Sequence, residues 1–448
     1  MVAAIFEQSG DCVRKAIAAG ASALALVSLY LLPAGLSSGP AWAADSAALC
    51  CDDLEQRVAE LEATAARGGN GKLSFRVYGQ INRALLMWHD GFDANAHVVD
   101  NATSSSRFGF AGQAEIGPGL IAGYRLEVEA AFPSSDELFN GPGGSNAFLG
   151  TDALRVRQSY WDLASRDLGR VAVGFQSPAT DDITIINLGS QMNDAALHYN
   201  NAFRIRLDLA SPPITTDLRW GQIAHTVDAT RGNFVRYDTP ILHGLLLSTA
   251  WNDDVWDVAA RYQQQSASFR FATGVGYMKD AEREFEDLKG SASLIHDPTG
   301  LYASIAGGLR NDRHSVLSTD DQAHFYYAQL GISRQWLAHG KTTLYADHGV
   351  YKDFSVGELL SVVDGKTVAW GTLTDTEVRR WGFGIEQAFD SAALLVYAQA
   401  HFYDPTVVGF PCGPAPFPAK GCGGDAKNTT KLPAEAWQGF VVGARIQF

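Results

Sequence analysis

The strongest constraint on the fold is a hydropathy period of two that extends over segments of about ten to thirteen residues. In Leu120–Phe132, apolar side chains alternate with positions that include Arg125 and Glu127, and Arg380–Phe389 and Gly439–Phe448 repeat this pattern. A period of two predicts a strand with one apolar face and one polar face. These segments exceed the usual strand length of soluble sheets and match the length of a tilted strand that crosses a membrane.

The N-terminus, residues 1–43, has the features of an export signal. Arg14 and Lys15 precede the apolar run Ala16–Leu32, and the small-residue sequence at 41–43 predicts a cleavage site. The alternative is a retained membrane anchor, although no basic flank of the stop-transfer type follows the run. No apolar run of about 18 residues occurs later, so we expect the exported chain to be soluble outside the cytoplasm or to lie in a membrane as a β-barrel.

Residues 44–71 have a different pattern. Apolar residues recur at helical spacing at Leu54, Val58, Leu61 and Ala65. The glycine-rich sequence at 67–71 ends this stripe. About two heptads are few for a coiled coil, but partner chains held together elsewhere would raise the effective concentration of the helix. We therefore predict a periplasmic helix or short coiled coil followed by a linker, with a flexible, partly helical tether as the alternative.

The connections between the predicted strands alternate between short turns and long polar stretches. The short turns are Gly117–Gly119, Arg166–Gly169, Ile241–Gly244, Asp297–Gly300, Ala338–Gly340 and Asp390–Ala392, and the long stretches are His89–Ser105, Pro133–Asp152, Ser355–Val378 and Asp404–Ala436. Outer-membrane barrels have short periplasmic turns and long external loops, whereas a soluble sandwich has no reason for this alternation. Residues 72–448 are therefore predicted to form an all-β, transmembrane antiparallel β-barrel of about sixteen strands.

The composition excludes two classes of protein. Apolar residues make up 46% of the chain and charged residues 19%, which is unlike a disordered chain. The net charge is −14, and the basic residues form no cluster larger than pairs such as Arg379-Arg380, so we expect no nucleic-acid partner.

Catalytic motifs are missing from residues 44–448. This part of the chain lacks the Gly-x-Ser-x-Gly, His-Glu-x-x-His and Gly-x-x-x-x-Gly-Lys motifs, and we expect no enzymatic activity, cofactor or metal.

The cysteines fit an oxidising compartment. Cys412 and Cys422 flank a proline-rich stretch of one predicted external loop, and we predict that a disulfide between them stiffens this loop. Metal binding is the alternative, although no other cysteine or histidine lies near them at ligand spacing. Cys50 and Cys51 form a vicinal pair, and Leu49 before them does not fit the small residue that a lipoprotein signal requires.

Several motifs closely resemble the general bacterial porins, a family of outer-membrane proteins of Gram-negative bacteria. The segments that resemble the first five strands of this family are Val77–Gln80, Arg107–Gly112, Glu115–Leu120 with Gly123–Glu127, Arg157–Leu163 and Leu168–Gly174. The terminal Phe448 matches the aromatic end by which barrel-assembly machinery recognises its clients. The prefix that begins at Cys50 resembles that of alphaproteobacterial members, which have a coiled-coil-like N-terminal segment.

The resemblance implies a homotrimer of barrels in the lipid bilayer of the outer membrane. In this family the third external loop folds into the lumen and narrows it, and Ser177–Asn233 is a long interruption where that loop belongs. The implied function is passive diffusion of ions and small hydrophilic solutes, since the side chains of a sixteen-strand barrel leave a water-filled channel. The alternatives are a substrate-selective channel for a sugar or an anion, an outer-membrane hydrolase that acts on lipid, and a surface adhesin or receptor.

The resemblance also implies which basic residues narrow the pore. It maps the basic wall of the family onto Arg107 and Arg157, which stand on the polar faces of their predicted strands. Arg76 and Arg155 lie on lumen-facing registers and can add to this wall. For Arg107 and Arg157, the alternative is a structural role in which they pair with carboxylates along the wall.

Two further lumen positions depart from the family pattern. Gln80 stands where relatives often have a lysine, and Asp238 stands where they often have an arginine. The third loop would supply the acidic side of the constriction, for which Asp181, Asp182 and Asp194 are the candidates, with ordinary solvated loop carboxylates as the alternative. Since the wall has fewer bases than the family pattern, we expect a weak preference for cations.

Overall fold

In the computed structural model of the chain, the described residues are 74–141, 146–148, 154–209, 211–312, 322–361, 371–409 and 429–448. The predicted export signal, the predicted helix within residues 44–71 and the Cys412–Cys422 pair lie outside these residues, so each of them stays a prediction. None of the helices in the described residues is long and apolar enough to span a membrane.

The described part of the chain is nearly all β-structure. Its strands, numbered from the N-terminus, are β1 (Ser74–His89), β2 (Ala94–Asp100), β3 (Arg107–Gly117), β4 (Leu120–Glu129), β5 (Leu138–Asn140), β6 (Asn146–Phe148), β7 (Arg155–Ser165), β8 (Gly169–Gln176), β9 (Arg204–Leu207), β10 (Ile214–Arg219), β11 (Gly232–Asp238), β12 (Leu245–Trp251), β13 (Val255–Gln265), β14 (Phe269–Asp280), β15 (Phe285–His296), β16 (Leu301–Asp312), β17 (Gln322–Leu337), β18 (Gly340–Lys352), β19 (Leu359–Leu360), β20 (Gly371–Phe389), β21 (Leu394–Gly409), β22 (Thr430–Leu432) and β23 (Trp437–Gln447). One turn of α-helix spans Trp220–Ile223, and short 3-10 helices span Ala102–Ser104 and Asp390–Ala392.

Sixteen of these strands form one closed antiparallel barrel, as the hydropathy pattern predicts. In order around the barrel they are β1, β3, β4, β7, β8, β11 to β18, β20, β21 and β23. The barrel closes where β1 pairs with β23 over Gln80–His89. Beside this seam, the N–H of Gly79 donates to the carbonyl of Phe448 at 2.9 Å, and the N–H of Phe448 donates to Gly79 at 3.0 Å. The closed ladder pairs backbone groups that an open sheet would leave exposed at its edges.

The two faces of each barrel strand differ in polarity, which confirms the predicted alternation. On β17, Gln329 is fully buried on the inside and bonds to Asn187 and Tyr302. The next residue, Leu330, points outward and is 66% exposed. Large apolar side chains exposed on the outer face include Ile305, Trp381, Phe383, Val396 and Val442. An apolar exterior of this kind matches the hydrocarbon core of a membrane.

Several strands extend further at their external ends than the hydropathy pattern predicts. β2 lies within His89–Ser105, which we expected to be a loop, and pairs with the outer half of β1. β20 begins at Gly371 and β21 ends at Gly409, both inside predicted loops. Outside the membrane, neither face of a strand needs a continuous apolar row, so these extensions lose the alternation that marks the membrane part. The predicted short turns join consecutive strands as expected.

Glycines on the inner face allow tyrosine rings to lie flat against the barrel wall. A Cβ atom on Gly443 would lie 2.4 Å from Tyr397 Oη, and one on Gly384 would lie 2.2 Å from Tyr345 Oη. Any side chain at these positions would collide with the ring. Tyr397 also donates to Asn82 Oδ1 at 2.7 Å. The rings are therefore fixed and form a firm inner surface on which other parts of the chain can pack.

The outer face generates a prediction about stability. Replacing the outward-facing Leu330 by Arg should lower the free energy of unfolding by about 2–4 kcal/mol, because a charge near the middle of the lipid-facing band loses its water. Urea titration of the barrel in lipid vesicles measures this change. Leu330→Ala is the matched control, since it removes the same side chain without adding charge. Equal losses for the two variants would contradict a lipid-facing position.

Candidate pore constriction

The connection between β8 and β11, residues 177–231, folds into the barrel, and we call it the constriction loop. It contains the two-stranded hairpin β9–β10 and the helical turn Trp220–Ile223. The ring centroid of Phe203 lies 4.8 Å from that of Trp88 and 5.7 Å from that of Trp437, and all three residues are buried. The loop thus forms an apolar core with the part of the wall that contains β1 and β23.

Two carboxylates of the wall hold the backbone of the constriction loop. Asp257 on β13 accepts hydrogen bonds from the N–H groups of residues 179–180 at 3.1 and 2.7 Å. Glu386 on β20 accepts from the hydroxyl of Ser190 at 2.6 Å and from the N–H groups of residues 191–192, each at 3.0 Å. Hydrogen bonds to a charged acceptor are stronger than those between neutral groups. The loop is therefore attached at two widely separated places.

A buried ion pair attaches the loop at a third place. Arg380 Nε lies 3.1 Å from Asp347 Oδ1, and both side chains are almost completely buried. Arg380 also donates to Asn193 Oδ1 at 2.6 Å and to the carbonyl of Ala196 at 3.1 Å. Asn193 in turn donates to Asp347 Oδ2 at 2.7 Å. The hydrogen bonds that Arg380 and Asp347 form with the loop offset part of the free-energy cost of burying both charges. The same bonds attach the loop to β18 and β20.

The predicted basic wall lies on β3 and β7, where Arg107 and Arg157 point into the lumen. Arg157 lies 2.6 Å from Glu129 and 3.0 Å from Glu127, and Arg107 lies 3.8 Å from Glu127. Arg157 is the extra residue of a β-bulge in the pairing of β4 with β7. A bulge redirects the side chain of its extra residue, and here it allows both arginines to share one carboxylate. The wall is an array of paired charges.

Arg155 and Arg76 lie apart from these two arginines. Arg155 pairs with Glu129 and Glu137, each at 2.8 Å, and nearly half of its side chain is exposed. Arg76 lies near the start of β1, and its guanidinium carbon is 5.4 Å from the ring centroid of Tyr78. The four arginines therefore do not form one cluster, although Glu129 links Arg155 to the wall.

Gln80 and Asp238 are both engaged within the protein. Gln80 is buried, and its amide donates to the carbonyls of residues 104–105 at 2.8 and 2.9 Å. Asp238 lies 2.9 Å from Arg236 and 3.4 Å from Arg170, so its negative charge is compensated locally. Because Arg236 and Arg170 compensate its charge, Asp238 lowers the net positive charge of the wall less than its position in the sequence suggests.

The three candidate carboxylates of the loop have different surroundings. Asp182 is exposed to the lumen, and its side chain accepts no hydrogen bond from the residues that the structure describes. Asp181 is buried and lies 3.6 Å from Arg231. Asp194 is buried, and the Nε2 atom of His198 lies 3.0 Å from its carboxylate. Of the three, Asp182 is the carboxylate that faces water.

Asp228, at the far end of the loop, lies beside two of these carboxylates. Carboxylate oxygens of Asp181, Asp182 and Asp228 all lie within 4.8 Å of one another. Partial enclosure by the surrounding protein, and then the charge of Asp181, raise the pKa of Asp182 to about 6. Burial and then Asp181 also raise the pKa of Asp228. The spacing of the three groups could hold a cation, although Arg231 already compensates the charge of Asp181.

Sequence reasoning missed four arginines near this site. They are Arg231, Arg236, Arg261 and Arg445. Arg261 donates to the backbone carbonyl of Asp181 at 2.6 Å, and Arg231 and Arg445 act electrostatically on Arg107. Arg445 stands on the polar face of the last predicted strand, so a count of all inward-facing registers could have found it. Arg231 lies at the end of the loop, where no periodicity marks the lumen side.

A closed sixteen-strand barrel with an inward-folded loop and charged lumen walls defines a membrane channel. The family of Gram-negative porins matches residues 23–406 of the chain. The chain therefore belongs to the Gram-negative porin family, and it forms an outer-membrane channel for passive diffusion.

Solved structures share this fold at low sequence identity. The anion-selective porin of Comamonas acidovorans is 14% identical, with a TM-score of 0.50 over 84% of this chain and 100% of that chain. OmpT, an outer membrane protein of Vibrio cholerae in its trimer form, is 12% identical, with a TM-score of 0.50 over 84% of this chain and 99% of that chain. No curated protein matches the chain.

The buried ion pair generates a prediction about how the loop is attached. Arg380→Met should lower the free energy of unfolding by about 3–5 kcal/mol, because it leaves the carboxylate of Asp347 buried without its cation. The double variant Arg380→Met/Asp347→Leu should lose less than Arg380→Met alone, since no unpaired charge remains. Denaturant titration of the purified barrel measures both losses. The single variant Asp347→Leu completes the comparison, and a loss in the double variant equal to the sum of the two single losses would contradict the coupling.

Proposed function

We propose that the narrowest part of the pore lies between the wall residues Arg107 and Arg157 and the loop carboxylate Asp182. The observation that carries this proposal is that Asp182 is a solvent-exposed carboxylate on a loop anchored to the wall, and Arg157 acts on it electrostatically. Opposite charges across a narrow lumen create a transverse field that orients polar solutes as they pass. Solutes of suitable size would pass this section by diffusion.

The proposed channel has no strict solute specificity. Arg107 and Arg157 share their charge with Glu127, and Asp181 shares its charge with Arg231. Tight binding of one solute would require polar groups that are free and converge on it. Groups already paired within the wall act instead as a diffuse electrostatic lining.

A weak preference for cations follows from the same pairing. The wall arginines are compensated by carboxylates at 2.6–3.8 Å, whereas Asp182 has no hydrogen-bonded partner among the described residues. At neutral pH an ionised Asp182 therefore contributes a negative charge that no hydrogen bond from the described residues compensates. The further arginines Arg231 and Arg261 act on Asp182 and keep this preference small.

Maturation and assembly belong to the same proposal. Residues 1–43 would be removed on export, residues 44–71 would form a periplasmic helix or short coiled coil of the alphaproteobacterial type, and 72–448 would form the barrel. Membership of the porin family and the short apolar stripe of the second segment support a homotrimer. A Cys412–Cys422 disulfide would stiffen an external loop without contributing to the strand ladder.

Single-channel recording in a planar lipid bilayer tests the proposed function. We expect ohmic currents in simple salts and no saturation by a single sugar or anion at low concentration. Saturation would favour a substrate-selective channel, and a closed barrel that binds a surface partner would favour an adhesin or receptor. Release of fatty acid from phospholipid by the purified protein would favour a hydrolase.

The charge of Asp182 predicts a pH dependence of ion preference. The pKa of Asp182 is raised to about 6, so its carboxylate is charged above this pH and neutral below it. The zero-current potential in a salt gradient should therefore move toward anions as the pH falls through about 6. Asp182→Asn should remove this step, and Asp194→Asn should leave it, because Asp194 is buried against His198. A step that persists in Asp182→Asn would assign it to another group.

The basic wall generates a prediction about pore size. Arg107→Ser shortens a side chain that projects into the lumen and removes one positive charge. The conductance and the largest sugar that enters proteoliposomes should both increase, and the zero-current potential should move toward cations. Arg155→Ser is the matched control, because it makes the same chemical change at an arginine that pairs with Glu129 and Glu137, whereas Arg107 lies beside Glu127. An equal effect of the two substitutions would contradict a constriction at Arg107.

The trimer can be tested separately from conduction. The native protein should migrate in unheated detergent gels as a species larger than one chain and should convert to the monomer on boiling. Light scattering in mild detergent gives the number of chains directly. A monodisperse monomer that still conducts would contradict the homotrimer while leaving the channel function intact.

A further inference from the structure

Three wall side chains surround the backbone immediately before Asp182, and we call them the loop seat: Arg236, Asp257 and Arg261. Arg236 donates to the carbonyls of residues 177–178 at 3.2 and 3.1 Å. Arg261 donates to the carbonyl of Asp181 at 2.6 Å. Asp257 accepts from the two N–H groups between these carbonyls. The whole segment that leads to Asp182 is thus fixed by side chains of β11 and β13.

Asp257 is the most enclosed member of the loop seat. It is completely buried, and it forms no salt bridge with any residue that the structure describes. One carboxylate oxygen accepts from the N–H groups of Ala179 at 3.1 Å and Ala250 at 3.0 Å. The other accepts from the N–H of Thr180 at 2.7 Å and from its hydroxyl at 2.8 Å. Four donors therefore satisfy a charge that does not reach the pore.

Further contacts at Thr180 and Ile183 hold the loop on either side of Asp182. A Cβ atom on Gly276 would lie 2.7 Å from Thr180 Cγ2, and one on Gly274 would lie 2.9 Å from Ile183 Cδ1. Glycines on β14 thus make room for the loop on either side of Asp182. The hydroxyl of Ser291 on β15 donates to the carbonyl of Ile183. Between these attachments Asp182 adopts a positive φ of 63°, a left-handed conformation that aspartate tolerates better than most residues.

We propose that Asp257 is a positioning residue, which sets the ion preference of the pore by fixing where the Asp182 carboxylate stands. The inference rests on the proposed function, since it assumes that Asp182 contributes to the constriction. Asp257 itself would act through the loop backbone and not through its own charge. Moving Thr180 by a fraction of an ångström would move Asp182 relative to the arginine wall, because the two residues are joined through Asp181 alone.

Two substitutions at the loop seat test the proposal. Asp257→Asn keeps the shape of the side chain but turns an N–H donor of the amide toward a backbone N–H of the loop. Thr180→Val removes a single donor to Asp257 and changes no charge. Both variants should move the zero-current potential in the same direction as Asp182→Asn, by a smaller amount. If Asp257→Asn does not assemble, the zero-current potential of Thr180→Val alone tests the positioning role.

A double variant separates positioning from a direct effect of charge. In the Asp182→Asn background, Asp257→Asn should produce no further shift of the zero-current potential, because the group that it positions is gone. A buried charge that acted directly on permeating ions would add its full shift in that background. Glu386→Gln is the matched control, since it makes the same chemical change at a buried anchor that holds residues 191–192 instead. We expect it to leave the zero-current potential close to that of the unmodified channel.

The outcomes distinguish this inference from the proposed function. An unmodified protein that does not conduct would overturn both. A conducting channel whose zero-current potential responds to Asp182→Asn, but not to Asp257→Asn or Thr180→Val, would overturn the positioning role alone. Additive shifts in the double variant, or an equal shift from Glu386→Gln, would overturn it as well.

Discussion

The structure depends on the requirement that every backbone N–H and C=O group inside a membrane finds a partner within the protein. An unpaired group in hydrocarbon costs several kcal/mol, so a sheet that crosses a membrane must close on itself. Here the seam between β1 and β23 meets that requirement, and the bonds between Gly79 and Phe448 extend the ladder to the last residue. Closure in turn fixes the alternation of apolar and polar faces, because inward positions face the barrel interior and outward positions within the membrane face its apolar surroundings.

The side chains of a closed ring of sixteen strands cannot fill its interior. The constriction loop fills part of this space. Phe203, Trp88 and Trp437 form an apolar core inside the barrel, much as in a soluble domain. On other parts of the wall the loop is held by polar contacts, because Asp257 and Glu386 accept hydrogen bonds from its backbone N–H groups. The wall arginines Arg107 and Arg157 pair with Glu127 instead.

The barrel could be predicted from sequence because its signal is local and repeated. A period of two along β3 is enough to assign Arg107 to the lumen face. The details of the constriction lack such a signal. No sequence feature near Arg157 predicts the bulge that brings it to Glu127. In the sequence, Asp182 and Asp194 are both loop carboxylates, and no pattern distinguishes them. Asp194 differs because it lies against His198, and Asp182 gains Asp228 as a neighbour from the far end of the loop. Such long-range contacts follow from the folded path of the loop, which carries no periodicity.

The attachments of the constriction loop also determine the order in which the channel can be completed. Ser190 and Glu386 are 196 positions apart in the chain, and Met192 and Gln399 are 207 positions apart. Contacts over such distances form late, because the intervening chain must first be ordered. During assembly the loop therefore remains without its β20 and β21 attachments until those strands join the sheet. A barrel that closed before the loop had entered it would enclose an unobstructed lumen, so insertion of the loop and closure at β1 and β23 must be coordinated if the nascent channel is not to leak.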